Sequence, residues 1–149
     1  MGKVQIKMPE EFLLKVSRLA DQTDVIIPKV LEAGGEVVLS KVKSNLSSVV
    51  GSNTKERSRS TGELERSLGL SPAKQNRNGN WDVKIGFAEP RSDGAGRSGA
   101  NSNAKIANIL EYGKSGQPPK PFLKPARTQS KSTCIETMKS KLQEEVDGI

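Results

Sequence analysis

The feature that most constrains the fold is one long helical pattern in the first third of the chain. From Asp24 to about Val50, apolar residues recur at helical spacing, among them Ile27, Leu31, Val38, Val42 and Leu46. A helix of about 25 residues is roughly 38 Å long, so it is the longest element that the sequence predicts. Gly34-Gly35 in its middle permits either a bend or a close approach of another segment.

The remaining patterns predict shorter helices and a small sheet. Helices are expected from Pro9, with Phe12, Leu13, Val16 and Leu19 on one face, and over about 60–68, 104–112 and 128–147. Alternation predicts strands over 3–8 and over Trp81–Phe87, and Asn78-Gly79 before the second is a hairpin signal. We therefore predict an α+β fold, a small antiparallel sheet with a long helix and shorter helices packed on it.

Length and composition predict one domain over residues 1–149 with three segments of irregular structure. Residues 51–60 and the Gly-rich stretch 89–103 are small and polar, which predicts flexible loops. Residues 114–127 contain four prolines, which predict an extended arm.

The composition argues against catalysis and against bound cofactors. The chain has no His and a single Cys, Cys134, which excludes His-dependent nucleophiles, His-based metal sites and internal disulfides. Residues 94–99 read G-x-G-x-x-G, but a polar spacer separates them from the preceding strand, so a dinucleotide site is not expected. We expect no enzymatic activity, no cofactor and no metal.

No apolar run approaches the 18 or so residues of a membrane span. The first residues lack the apolar region of a secretory signal. An intracellular protein without a membrane association is therefore expected.

One stretch of the chain carries charge of a single sign. Between Glu111 and Glu136 there is no acid, but there are five bases, Lys114, Lys120, Lys124, Arg127 and Lys131. Three interpretations are open. The stretch is a phosphate-binding strip, or an arm lying in a partner's groove with Phe122 and Leu123 as anchors, or Phe122 and Leu123 fill the core of their own chain.

Three motifs in order resemble those of a known family. They are Thr61-Gly62-Glu63-Leu64-Glu65-Arg66-Ser67-Leu68, Ile109-Leu110-Glu111-Tyr112-Gly113 and Pro121-Phe122-Leu123-Lys124-Pro125-Ala126. They are similar to the "T-G-x-L-x-x-S-hydrophobic", "hydrophobic-E-[FY]-G" and "P-F-L-[RK]-P-A" motifs of the head–tail joining, or tail-completion, proteins of long-tailed bacteriophages. The resemblance covers about residues 10–147.

The resemblance implies structural work in a virion assembled in the host cytoplasm. Such proteins form a ring, usually sixfold, at the neck between the head connector or adaptor and the tail terminator or tail tube, and no catalysis is attributed to them. Candidate contacts with partners are Lys114, Lys120, Phe122, Leu123, Lys124 and Arg127. Candidates for lining a channel through which DNA passes without sequence recognition are Lys55, Arg57, Arg59, Arg91 and Arg97.

Two alternatives remain open at this point. One is a tail terminator or another minor tail protein of the same virion. The other is a small basic DNA-binding protein, since the chain has a net charge of +7. Its affinity for nucleic acid would fall steeply with ionic strength.

Overall fold

A computed structural model of the chain describes residues 9–50, 63–88 and 102–149. In chain order the helices are α1 (Glu10–Asp21), α2 (Thr23–Val49), α3 (Glu63–Ser67), α4 (Asn103–Tyr112) and α5 (Leu123–Asp147). The strands are β1 (Leu68–Leu70), β2 (Lys74–Gln75), β3 (Trp81–Asp82) and β4 (Ile85–Phe87). The α+β expectation is confirmed. The predicted strand 3–8 and most of the two predicted loops lie outside the described residues.

The two longest helices, α2 and α5, form an antiparallel pair that frames the molecule. At one end, Lys29 Nζ lies 3.5 Å from Glu145 Oε2. At the other end, Asn45 Nδ2 donates to Phe122 O over 3.3 Å. The start of α2 therefore lies beside the end of α5, and the end of α2 lies beside the start of α5.

The glycine pair in α2 allows close approach on two sides of the helix. A Cβ at Gly34 would lie 2.6 Å from Met138 Cγ of α5. A Cβ at Gly35 would lie 2.8 Å from Leu70 Cδ1 of β1. The half-buried Cys134 thiol donates to Gly34 O over 3.4 Å. Both positions are buried, so the pair serves packing, which resolves the choice that the sequence left open.

The four strands make one irregular antiparallel ribbon. β1 pairs with β4, and β2 pairs with β3. The predicted hairpin is confirmed, because the tight turn before β3 contains Gly79 at a φ of 83°, a conformation that favours glycine. The strand predicted over Trp81–Phe87 is split in two, however.

The split has a physical cause in the partner strand. Pro72 has no N–H and cannot extend a ladder, and the register shifts by one residue between Leu70↔Ile85 and Lys74↔Asp82. Residues 71–73 thus oppose residues 83–84, as in a β-bulge. Lys84 N donates to Ser71 Oγ across the gap over 2.8 Å.

The buried core lies against the second half of α2. It contains side chains from four helices, one strand and the segment before α5, namely Leu39, Val42, Leu46, Leu64, Leu68, Ala107, Phe122 and Ala126. The three α2 residues recur at the three- and four-residue spacing of one helix face. By contrast, α1 forms as predicted but buries none of its residues.

Two predicted boundaries are wrong and need correction. The final helix begins at Leu123, five residues before the predicted Thr128, so the extended arm does not reach Arg127. Pro125 is the third helical residue, where a missing N–H costs no helical hydrogen bond. At the other boundary, Ser102 and Asn103 of the predicted loop belong to the start of α4, where Ser102 Oγ accepts from Lys105 N over 3.2 Å.

Candidate functional site

A buried carboxylate, that of Glu111, joins the second motif to the third. Glu111 Oε2 accepts from Phe122 N at 2.8 Å and from Leu123 N at 2.9 Å, and Oε1 accepts from Lys124 N at 2.9 Å. These N–H groups belong to the start of α5, where a helix has no internal acceptors to offer them. Glu111, at the end of α4, therefore caps α5.

The electrostatics of this cap favour the ionised glutamate. Burial raises the pKa of Glu111, but the backbone hydrogen bonds from Leu123, Phe122 and Lys124, together with the Lys124 charge, offset this and hold the pKa below its ordinary value. The positive end of the α5 dipole acts in the same direction. The carboxylate is thus held as a charged structural group.

Phe122 fills the core directly behind the cap. Its side chain is fully buried, and its ring packs edge-on against Phe87, with the ring centroids 6.2 Å apart. Of the three interpretations of the basic stretch, the structure supports core filling for Phe122. We therefore remove Phe122 from the surface candidates. Leu123 differs, since it is 36% exposed.

The first motif packs into the same core. Leu64 and Leu68 are buried there with Phe122. Glu63 is also buried and accepts from Arg66 Nη2 over 3.4 Å. Thr61 and Gly62 of this motif lie outside the described residues, as does Ser60 of the predicted helix cap. The three motifs, separate in sequence, therefore meet at one place, which we call the motif junction.

A tight turn completes the motif junction. Gly113 ends α4 at a φ of 78°, and a Cβ there would lie 2.8 Å from Pro119 N and 2.9 Å from Gln117 O. The backbone groups of Lys114 and Gln117 pair with each other, and Lys120 N donates to Leu110 O over 2.7 Å. Residues 114–117 are thus a closed turn and not an extended arm, which corrects the prediction for this part.

Most of the predicted contact residues lie on the outer surface of the motif junction. Lys114, Lys124 and Arg127 are exposed, Lys120 is half-buried, and Tyr112 beside them is 77% exposed. The five candidates for a DNA channel, Lys55, Arg57, Arg59, Arg91 and Arg97, all lie outside the described residues.

The capping role of Glu111 was missed from the sequence. A signal for it existed, since the first turn of α5 contains no acid of its own and an acid is the preferred neighbour of a helix start. The missing acid is Glu111, which lies 11 to 13 residues before the N–H groups that it caps, at the end of another helix.

The described residues contain no group of three or more Cys, Asp or Glu placed to hold a metal ion. Within the same residues, every buried side-chain nitrogen and oxygen has a hydrogen-bond partner. None of the helices described is long and apolar enough to cross a membrane. The motif junction is thus a fully bonded scaffold beneath a basic surface.

Comparison with known protein families identifies the chain's relatives. Residues 10–113, more than two thirds of the chain, match the HK97-gp10-like family model, described as "Bacteriophage HK97-gp10, putative tail-component". The chain belongs to this family. It is a bacteriophage tail component, located in the virion, where it contacts other virion proteins. The match includes two of the three motifs, up to Gly113. No curated protein and no solved structure gives a significant match.

Proposed function

We propose that this tail component is a non-enzymatic neck, or tail-completion, protein that joins the tail to the head connector. In this proposal it is assembled in the host cytoplasm as a ring, a hexamer, around the channel through which DNA passes. The observation that carries the proposal is the motif junction. Residues of three ordered motifs pack together at one place, where the Glu111 carboxylate is engaged in capping α5.

The motif junction has the properties expected of a surface that binds another virion protein. The Glu111 cap and the buried Phe122 fix the backbone of residues 111–124. The exposed bases Lys114 and Lys124, with Lys120 and Leu123, lie on that backbone, and the exposed Arg127 follows it in α5. A rigid surface loses little conformational entropy on binding, so a modest area is sufficient for a contact with the connector or the tail.

The proposed contact with DNA in the channel is tested separately from the proposed role in head–tail joining. Lys55, Arg57, Arg59, Arg91 and Arg97 are charged residues of the predicted loops, and in this proposal they contact passing DNA through its phosphates. Replacing the five with Ser is expected to reduce DNA retention in filled particles. Unchanged retention and ejection would remove DNA contact from the proposal.

Electron microscopy of a lysate from which this gene alone is deleted tests the joining role. We expect filled heads lying apart from finished tails of normal length. Tails of irregular length would instead favour a tail terminator, and normal infectious particles would contradict any essential role in joining.

Point variants in the same phage test whether the surface of the motif junction is needed for head–tail joining. Replacing Lys114 and Arg127 with Ser is expected to give separated heads and tails. The matched control replaces Lys74 and Arg77, two exposed bases of the ribbon, and is expected to give normal particles. Equal phenotypes for the two variants would argue against the motif junction as the joining surface.

A further inference from the structure

The charges of the α2–α5 pair are sorted by end. We call residues 10–36 and 136–147 the acidic end, and residues 41–49, 63–67 and 111–131 the basic end. The acidic end has ten acidic and five basic side chains, whereas the basic end has eight basic and three acidic ones. Glu63 at the basic end is paired with Arg66 and Glu111 is buried in the α5 cap, and the excess of bases at this end remains.

Helix stability accounts for the sorting in α1 and α2, whose first turns contain Glu10, Glu11 and Asp24, but not for the sorting in α5. An α-helix is stabilised by acids near its start and by bases near its end. In α5 the order is reversed, since Lys124 and Arg127 lie near its start, and Glu144, Glu145 and Asp147 lie near its end. The first turn has no acid and the last turn has no base. Apart from the Glu111 cap, the order of charges in α5 is therefore not explained by the dipole of that helix.

Each end also exposes apolar side chains beside its charges. At the acidic end, Phe12, Leu13 and Val16 of α1 are 52%, 48% and 47% exposed. At the basic end, Tyr112 and Leu123 are exposed. Clustered apolar side chains on a surface mark a site of interaction, and here both clusters accompany charges of opposite sign.

We propose that copies of this chain bind each other end to end, with the acidic end of one copy on the basic end of the next. The two surfaces are complementary in charge and lie at opposite ends of the same long helix pair. A contact between two different surfaces of identical subunits is heterologous and produces a ring when the rotation closes. The inference rests on the proposed ring and names its contact surfaces. Within the basic end, Lys43 and Lys131 are assigned to the next copy, and Lys114, Lys124 and Arg127 to the connector or the tail. DNA fits the basic end alone, and the acidic end would repel it.

Charge reversal of each end, followed by mixing, tests the proposal. One variant is Lys43→Glu with Lys131→Glu at the basic end, and the other is Glu144→Lys with Asp147→Lys at the acidic end. All four side chains are exposed. The mass in solution is measured by light scattering at low salt. The wild-type chain is expected to give a multiple of the 16.1 kDa subunit, and each variant alone is expected to give the monomer mass.

Mixing the two variants is expected to restore the assembled mass, because alternating copies again place acid against base at every contact. The control variant, Lys74→Glu with Arg77→Glu, makes the same charge change on the ribbon and is expected to assemble as the wild type does. Circular dichroism verifies that every variant is folded. The Phe12→Ser change is expected to lower the assembled fraction, whereas Lys15→Ser on the same helix is not.

Three results would overturn the proposal: a wild-type chain that stays monomeric, single variants that assemble normally, or a folded mixture that fails to reassemble. A basic-end variant that keeps its assembly but loses binding to a 30-base-pair duplex would assign the basic end to DNA instead. These results leave the neck role standing, because head–tail joining is read separately in the deletion lysate.

Discussion

Removal of the Glu111 carboxylate is the perturbation whose cost the structure defines best. The Glu111→Ala change leaves the N–H groups of Phe122, Leu123 and Lys124 without their acceptors. A hydrogen bond to a charged group contributes about 1.5–3 kcal/mol. Because Leu123 and Lys124 are exposed and water replaces part of the loss, we take about 1–1.5 kcal/mol for each bond, which gives about 3–5 kcal/mol in all.

Thermal unfolding followed by circular dichroism at the helical band measures this cost. At roughly 2–4 °C per kcal/mol for a chain of this size, the midpoint is expected to fall by about 6–20 °C. The matched control is Glu136→Ala, which removes an exposed glutamate from the middle of α5 and is expected to leave the midpoint nearly unchanged. If Glu111→Ala had the same unfolding midpoint as this control, the capping argument would be refuted.

Three further predictions concern the same region. Because the pKa of Glu111 is lowered in the folded chain, its stabilising contribution is complete above the ordinary value of 4.5 and is lost as the pH falls through the folded value. The stability difference between wild type and Glu111→Gln should therefore shrink in acid, and a constant difference across urea titrations down to pH 2 would count against an ionised cap. Phe122→Ala, which empties a fully buried site, is expected to cost about 3–5 kcal/mol in urea unfolding; a cost below 1 kcal/mol would mean that the ring is not a core residue. Gly113→Ala is expected to lower the melting midpoint more than Gly69→Ala, because a Cβ at Gly69 meets no atom within 4 Å, and equal midpoints would disprove the need for glycine at the turn.

Local patterns predicted the elements whose causes are local. The spacing of Val42 and Leu46 predicted α2, and Asn78-Gly79 predicted the hairpin turn, because both depend on residues close in sequence. The resemblance to phage tail components, stated from three short motifs, was confirmed by the family match over residues 10–113.

The errors arose where the cause lies far away in the chain. The start of α5 at Leu123 depends on the carboxylate of Glu111, whereas the four prolines of 114–127 predict an extended segment from local sequence alone. The break in the strand over 81–87 depends on Pro72 in its partner. The sequence of α1 has the predicted apolar face, but no described segment covers that face. A sequence pattern identifies an apolar face and does not identify what packs against it.

The most direct test of the joining role is reconstitution of infectivity from separated parts. Purified wild-type protein is added to a lysate of the deletion phage, and plaque titre and joined particles are counted. We expect the titre to rise by several orders of magnitude as heads and tails join, and the Lys114→Ser, Arg127→Ser variant to give little increase. Heads and tails that stay apart in the presence of the folded wild-type protein would contradict the account.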